Sequence, residues 1–107
     1  MNGMNVQRLY LPLDQIRTFC ERWQITEFAL FGSVLRDDFR PDSDVDVLVT
    51  FSPEAHHTLF DLVQMENELK VIFQREVDLV SRRGIERSLN YLRRNEILSS
   101  AQVIYAA

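Results

Sequence analysis

The sequence predicts an α/β (α+β) fold in which helices pack mainly on one face of a small mixed β-sheet. Three short segments at residues 26–31, 44–50 and 76–80 are rich in β-branched and aromatic residues, which is typical of strands. Segments with helical periodicity separate them. The long helical segment between the last two strands favours a parallel crossover, because parallel strands cannot be joined by a tight turn.

The N-terminal part of the chain contains one clear helical pattern. Residues 1–11 show no period and are expected to form a lead-in. Apolar residues then recur at helical spacing over residues 12–23, which predicts a helix. The β-prone residues 26–31 end at Gly32, and residues 33–37 are predicted to open a short helix.

The clearest strand lies at residues 44–50. Its valines alternate with Asp44, Asp46 and Leu48. Because side chains alternate between the two faces of a strand, one face is aliphatic and belongs to the core. The other face begins with two acids and must meet solvent or a site.

The C-terminal half supplies the remaining elements. Thr58 and Asp61 resemble a capping box, which predicts the start of a long helix. A strand is predicted at residues 76–80, a helix at residues 87–98 and a short last strand at residues 103–105.

The composition predicts a soluble globular protein with a single domain over residues 1–107 and its core at residues 26–80. Hydrophobic residues make up 46% and charged residues 26% of the 107 residues, both ordinary proportions. The net charge of −4 gives no bulk attraction for nucleic acid, which is therefore not expected as a direct partner. No apolar run approaches the roughly 20 residues of a membrane span, so a cytoplasmic location is expected. Cys20 is predicted to be a buried small hydrophobe.

Three aspartates are predicted to converge on one side of the sheet. Asp44 and Asp46 are two residues apart on a strand and point to the same side. Asp78 lies on a strand that can adjoin them. Carboxylate oxygens are the ligands that Mg²⁺ prefers, so Asp44, Asp46 and Asp78 are the predicted metal ligands and catalytic residues. An acidic surface strand is a poor alternative, because clustered carboxylates repel one another.

A glycine–serine turn ends ten residues before these acids. Gly32 lets the backbone approach phosphates, and Ser33 offers its hydroxyl and backbone N–H at a helix start. Arg36, one helical turn further on, is within reach of a triphosphate. These residues suggest metal-assisted nucleotidyl transfer, in which two Mg²⁺ ions about 3.5–4 Å apart stabilise the attacking and leaving oxygens. Asp78 would hold the metal that activates the nucleophile and help to take its proton.

Arginines are concentrated late in the chain, at positions 82, 83, 87, 93 and 94. They suit contact with a nucleotide, an RNA or an acidic partner. They equally suit a solvated basic helix face.

The Gly-Ser turn and the Asp-Val-Asp strand resemble the signature of the DNA polymerase beta-like nucleotidyltransferase superfamily. The segments Phe31–Arg36 and Pro41–Val49 are similar to its minimal nucleotidyltransferase (MNT) branch, and residues 76–80 match the third-acid strand. The resemblance spans residues 26–80. Two departures are Asp37 and Gln74, at positions where many relatives have glycine.

The resemblance also implies a specific activity. MNT proteins of this kind resemble the antitoxin half of HEPN–MNT toxin–antitoxin modules. That implies a protein adenylyltransferase that uses Mg²⁺ to transfer AMP from ATP to a tyrosine of a partner HEPN ribonuclease, within a hetero-oligomer. Two alternatives stay open: nucleotidyl transfer to an RNA or small-molecule acceptor, and a non-catalytic antitoxin that neutralises by binding.

Overall fold

The computed structural model describes residues 3–6, 9–35, 40 and 43–107. The elements follow in chain order as β1 (Gly3–Val6), β2 (Leu9–Pro12), α1 (Leu13–Arg22), β3 (Ile25–Phe31), a 3₁₀ turn (Gly32–Leu35), β4 (Val45–Phe51), α2 (Leu59–Phe73), β5 (Val77–Ser81), α3 (Arg82–Glu86), α4 (Tyr91–Ser100) and β6 (Gln102–Ala106). None of the helices in these described ranges is both long and apolar enough to span a membrane.

A four-stranded mixed sheet in the order β5-β4-β3-β6 forms the centre of the fold. Strand β3 pairs antiparallel with both β4 and β6, whereas β4 and β5 are parallel. Helix α2 makes the crossover between the parallel strands, as predicted. The predicted α/β fold class is therefore confirmed.

Helices α1 and α2 pack on one face of this sheet, and α3 and α4 cover part of the other. The first core is the larger and includes Ile16, Phe28, Val45, Val47, Met65 and Leu69, all fully buried. The second joins Ala29, Phe31 and Leu48 of the sheet to Ile85 of α3 and Ile97 of α4. Because α3 and α4 cover the sheet only in part, the second face has room for polar side chains.

The capping box predicted for α2 is present. The Thr58 hydroxyl oxygen accepts a hydrogen bond from the Asp61 N–H (3.2 Å), and the Asp61 carboxylate accepts one from the Thr58 N–H (3.0 Å). These bonds satisfy two backbone donors that the first turn of a helix leaves without partners. They set where α2 begins, and thus the length of the crossover to β5.

Two predicted elements are wrong in detail. The predicted lead-in contains a hairpin, in which β1 pairs antiparallel with β2, and Leu9 and Leu11 are buried. The helix predicted at residues 87–98 is shifted to α4 (Tyr91–Ser100), and a short helix that was not predicted, α3 (Arg82–Glu86), precedes it, because a separate cap begins each helix. The Ser81 hydroxyl accepts from the Gly84 N–H, and the Asn90 side chain accepts from the Arg93 N–H.

Cys20 is buried in the first core, as predicted, and its thiol should be unreactive in the folded protein. Burial, with a smaller contribution from the Glu21 charge, raises the pKa of its thiol to about 12. Since the thiolate is the reactive form, we expect a disulfide reagent at pH 8 to label native Cys20 at least about 1000-fold more slowly than the urea-unfolded chain. The raised pKa also means that Cys20 makes stability fall as pH rises from about 8.5 towards 12, and Cys20→Ala should make that slope shallower. Equal labelling rates in both states would contradict the buried position.

Replacing Gln74 by glycine should stabilise the protein. It caps the C-terminus of α2 in the left-handed conformation (φ 55°, ψ 41°), where a β-carbon is unfavourable. We expect Gln74→Gly to raise the free energy of unfolding by about 0.5–1 kcal/mol, measured by urea denaturation. The matched control Gln64→Gly, in the middle of α2, should lower it by about 1 kcal/mol. A loss of stability in both variants would show that the backbone strain at residue 74 is unimportant.

Candidate active site

Strands β4 and β5 place Asp46 and Asp78 side by side. The two residues are partners in the parallel register, so their strands hold them about 4.8 Å apart. Val45, Val47 and Val77 point into the first core, so by alternation both aspartates project from the opposite face. Asp46 is half-buried and Asp78 is exposed.

Asp44 lies just before β4 and is exposed. Two residues that precede it, Arg40 and Ser43, are held by Arg75, from the segment between α2 and β5. One guanidinium nitrogen of Arg75 (Nη1) donates hydrogen bonds to the carbonyl oxygens of Arg40 and Ser43, both at 3.1 Å. The residues just before Asp44 are therefore tied to the segment that leads to Asp78. No sequence motif pointed to this contact.

Arg75→Ala should weaken catalysis without unfolding the protein. Losing the two carbonyl contacts loosens the segment that positions Asp44, and losses of about 10- to 100-fold are typical for residues that orient metal ligands. We expect kcat to fall by about tenfold, with Arg75→Lys retaining part of the activity because its ammonium group can still donate hydrogen bonds. Nucleotidyl-transfer assays, with circular dichroism as a check on folding, measure this. Unchanged kcat in Arg75→Ala would exclude the positioning role.

Gly32 packs directly against the Asp46 carboxylate. It follows β3 and has φ +76°, a conformation that favours glycine. A β-carbon built on it would overlap with the Asp46 Oδ2 atom and lie 3.1 Å from the Asp46 Cγ atom. The site therefore needs glycine here both for its backbone conformation and for the space that the carboxylate occupies.

Ser33 contacts both acids of the Asp-Val-Asp strand. Its hydroxyl donates a hydrogen bond to the Asp44 carbonyl oxygen (3.4 Å), and its backbone N–H donates to the Asp46 carboxylate. The turn thus orients the acids themselves. The phosphate-binding roles of Gly32 and Ser33 stay predictions, and Arg36 lies outside the described residues.

The Asp46 carboxyl lies among other negative charges. Burial, followed by the charges of Asp78 and Asp44, raises the pKa of its carboxyl above the ordinary value. The Ser33 N–H and the Arg93 guanidinium act in the opposite direction. The three predicted acids are therefore close enough to repel one another.

The donor set suits a hard divalent cation in its chemistry, since all three side chains offer carboxylate oxygens. Within residues 3–6, 9–35, 40 and 43–107, however, no three His, Cys, Asp or Glu side chains are already arranged to hold a metal ion. The assignment of Asp44, Asp46 and Asp78 as a shared metal site stays a prediction.

Helix α4 completes the site, which sequence reasoning did not foresee. A cavity of about 340 Å³, termed the glycine-side cavity, lies between Gly32 and Asp46 on the sheet side and Arg93 and Glu96 on α4. Arg93 was only one of several late arginines in the sequence, and nothing singled it out. Its place opposite Asp46 depends on how α4 docks on the sheet.

The fold agrees with known proteins. The family model described as a nucleotidyltransferase domain matches residues 13–104. The chain belongs to this nucleotidyltransferase family. The predicted resemblance and the prediction of a nucleotidyltransferase enzyme are thereby confirmed.

Two curated relatives are similar over different lengths. Protein adenylyltransferase MntA of Thermococcus cleftensis is 33% identical over 69 residues, which cover 64% of this chain and 68% of the relative. MJ0435 of Methanocaldococcus jannaschii, provisionally named a protein adenylyltransferase, is 33% identical over 101 residues, which cover 94% of this chain and 96% of the relative.

Solved structures show the same fold. A structure provisionally described as a minimal nucleotidyltransferase has a TM-score of 0.64 and 32% identity, over 83% of this chain and 85% of that chain. A toxin–antitoxin structure with AMP-PNP has a TM-score of 0.67 over 88% of this chain and 73% of that chain. At 16% identity, the second likeness shows the fold alone.

Proposed function

We propose that this chain is a Mg²⁺-dependent protein adenylyltransferase that transfers AMP from ATP to a tyrosine of a partner HEPN ribonuclease toxin, and so acts as its antitoxin. The observation that carries the chemistry is the direct pairing of Asp46 with Asp78, with Gly32 packed against the Asp46 carboxylate. The relatives named protein adenylyltransferases support the acceptor class. The toxin–antitoxin structure of the same fold supports a toxin as partner.

Each residue of the site has a distinct role in this proposal. Asp44, Asp46 and Asp78 would hold Mg²⁺, two ions in the full site, which would supply charge stabilisation to the attacking and leaving oxygens. Gly32 would let the backbone approach the phosphates, and its missing β-carbon leaves the space that the Asp46 carboxylate occupies. Ser33 orients Asp44 and Asp46 through its two hydrogen bonds.

The proposed reaction is a displacement at the α-phosphorus of ATP. The tyrosine oxygen forms a bond to the α-phosphorus of ATP, the bond from that phosphorus to the bridging oxygen breaks, and pyrophosphate leaves. The phenolic proton would pass to a carboxylate, a role that we assign to Asp78, which is exposed on the edge strand β5. The product is an AMP–tyrosine phosphodiester.

Label transfer tests this function. The chain is incubated with ATP labelled at the α-phosphate, Mg²⁺ and the purified HEPN protein encoded beside its gene. We expect label on the partner, AMP on a tyrosine by mass spectrometry, and loss of ribonuclease activity. Asp46→Asn should abolish all three. Full neutralisation by Asp46→Asn without label would instead establish a binding antitoxin, and label on RNA or a small molecule would establish a different acceptor.

A further inference from the structure

Arg93 is directed at the acidic centre by the way α4 docks. The Asn90 side chain caps the helix by accepting a hydrogen bond from the Arg93 N–H (3.2 Å). Ile97, four residues later, is buried in the second core against the sheet. Residues four apart share a helix face, so Arg93 lies on the face that α4 turns towards the sheet.

Two cavities meet at this arginine. One is the glycine-side cavity, which Gly32 and Asp46 also line. The other, of about 500 Å³, is lined by Arg93 together with Ser81, Gly84 and Asn90. Arg93 therefore stands between the catalytic carboxylates and the open space beside α3.

The guanidinium of Arg93 is available for a ligand. In the part of the chain that the structure describes, it makes no hydrogen bond or ion pair, and its side chain is exposed. Two neighbouring arginines differ in this respect. Arg82 pairs with Glu27 (3.6 Å) and Glu86 (3.5 Å), and Arg94 donates to the Ser88 carbonyl oxygen (3.2 Å).

We propose that Arg93 is a phosphate-binding residue of the site, whose guanidinium binds the phosphate oxygens of the nucleoside triphosphate held beside Gly32 and Asp46. The inference deepens the proposed function and rests on it for the identity of the ligand. A triphosphate brings several negative charges towards carboxylates that already repel one another. A guanidinium offsets that charge, and its planar donors match two phosphate oxygens at once.

The proposal predicts a specific binding defect that needs no acceptor. Binding of Mg²⁺–ATP and of Mg²⁺–tripolyphosphate is measured calorimetrically on the full chain in the absence of any partner protein. Arg93→Ala should weaken both by about 10- to 100-fold, the range expected for a charged hydrogen bond. Arg93→Lys should recover part of the loss, because it restores the charge without the planar fork. A similar loss for both ligands indicates that the phosphates are recognised.

Arg87→Ala is the matched control. It removes the same charge from an exposed position at the end of α3 that lines neither cavity. Its affinities should stay within about twofold of wild type. Equal losses in Arg87→Ala and Arg93→Ala would mean that only the general charge of the region matters, and unchanged binding in Arg93→Ala would exclude the contact. In either case the Arg93 proposal fails, but normal AMP transfer by the wild type would leave the proposed function intact. Conversely, if the wild type binds ATP through Arg93 but labels no partner, the proposed function fails and the Arg93 contact stands.

Discussion

Asp46→Asn is expected to abolish AMP transfer and yet make the metal-free protein more stable at neutral pH. Asp46 is paired with Asp78 and packed against Gly32, so it is the carboxylate with the closest neighbours in the site. Charge stabilisation by bound metal is worth several kcal/mol, so losing one of the proposed ligands should lower kcat by about 10²- to 10⁴-fold. Asparagine has nearly the same shape and can still accept the Ser33 N–H, so the fold should persist. Label transfer and urea denaturation in EDTA measure the two effects.

The gain in stability has a defined pH dependence. An unfolded aspartate titrates near pH 3.9, whereas burial and the neighbouring acids raise the pKa of folded Asp46. The folded wild type therefore holds this proton more tightly than the unfolded chain, and its stability falls as pH rises through the raised pKa. Asparagine has no proton to lose. The variant should thus exceed the wild type at pH 7, and the difference should shrink towards pH 4.

Asp14→Asn is the control for this effect. Asp14 lies in the first turn of α1, where a negative charge is favourable, and is 3.7 Å from Arg17. Removing its charge should not raise stability at pH 7. If Asp46→Asn proved less stable than the wild type without metal, the carboxylates would not be repelling one another as the structure indicates.

Gly32→Ala is expected to inactivate the enzyme by displacing Asp46. The added methyl group would overlap with the Asp46 carboxylate, and φ +76° is unfavourable for alanine. Because the overlapping atom is at the end of a side chain, the carboxylate can turn away, so the protein should fold with a loss of about 1–2 kcal/mol. In the proposed function, catalysis depends on where that carboxylate lies. We therefore expect kcat to fall at least about 100-fold, comparable to losing a preorganised contact at the reacting centre.

A double-mutant cycle separates the two causes. In an Asp46→Ala background the overlap disappears and only the backbone strain at Gly32 remains. Gly32→Ala should therefore reduce stability less in that background than in the wild type, as measured by urea denaturation. Equal losses in both backgrounds would show that the glycine serves its backbone conformation alone and does not control the Asp46 position.

The sequence was sufficient for those parts of the site that depend on local pattern. Alternation in β4 separated the valines of the core from Asp46, and the capping box located α2 between the parallel strands. These features depend on the spacing of apolar and polar residues along one strand or one helix, and that spacing can be read from the sequence. From them the mixed sheet and the pairing of the two acid-bearing strands could be predicted, whereas the family was predicted from the resemblance of the Gly-Ser turn and the Asp-Val-Asp strand to its signature.

The tertiary structure alone decided which distant side chains complete the site. The Arg75 contacts span more than 30 positions along the chain, and the place of Arg93 depends on the Asn90 cap that begins α4 and on the packing of Ile97 against the sheet. The N-terminal hairpin likewise has too few alternating residues to be recognised without its partner strand. Local periodicity reports only which face of an element is apolar. The meeting of Arg93 with Asp46 is set by how α4 packs on the sheet, and no repeat in the sequence records that packing.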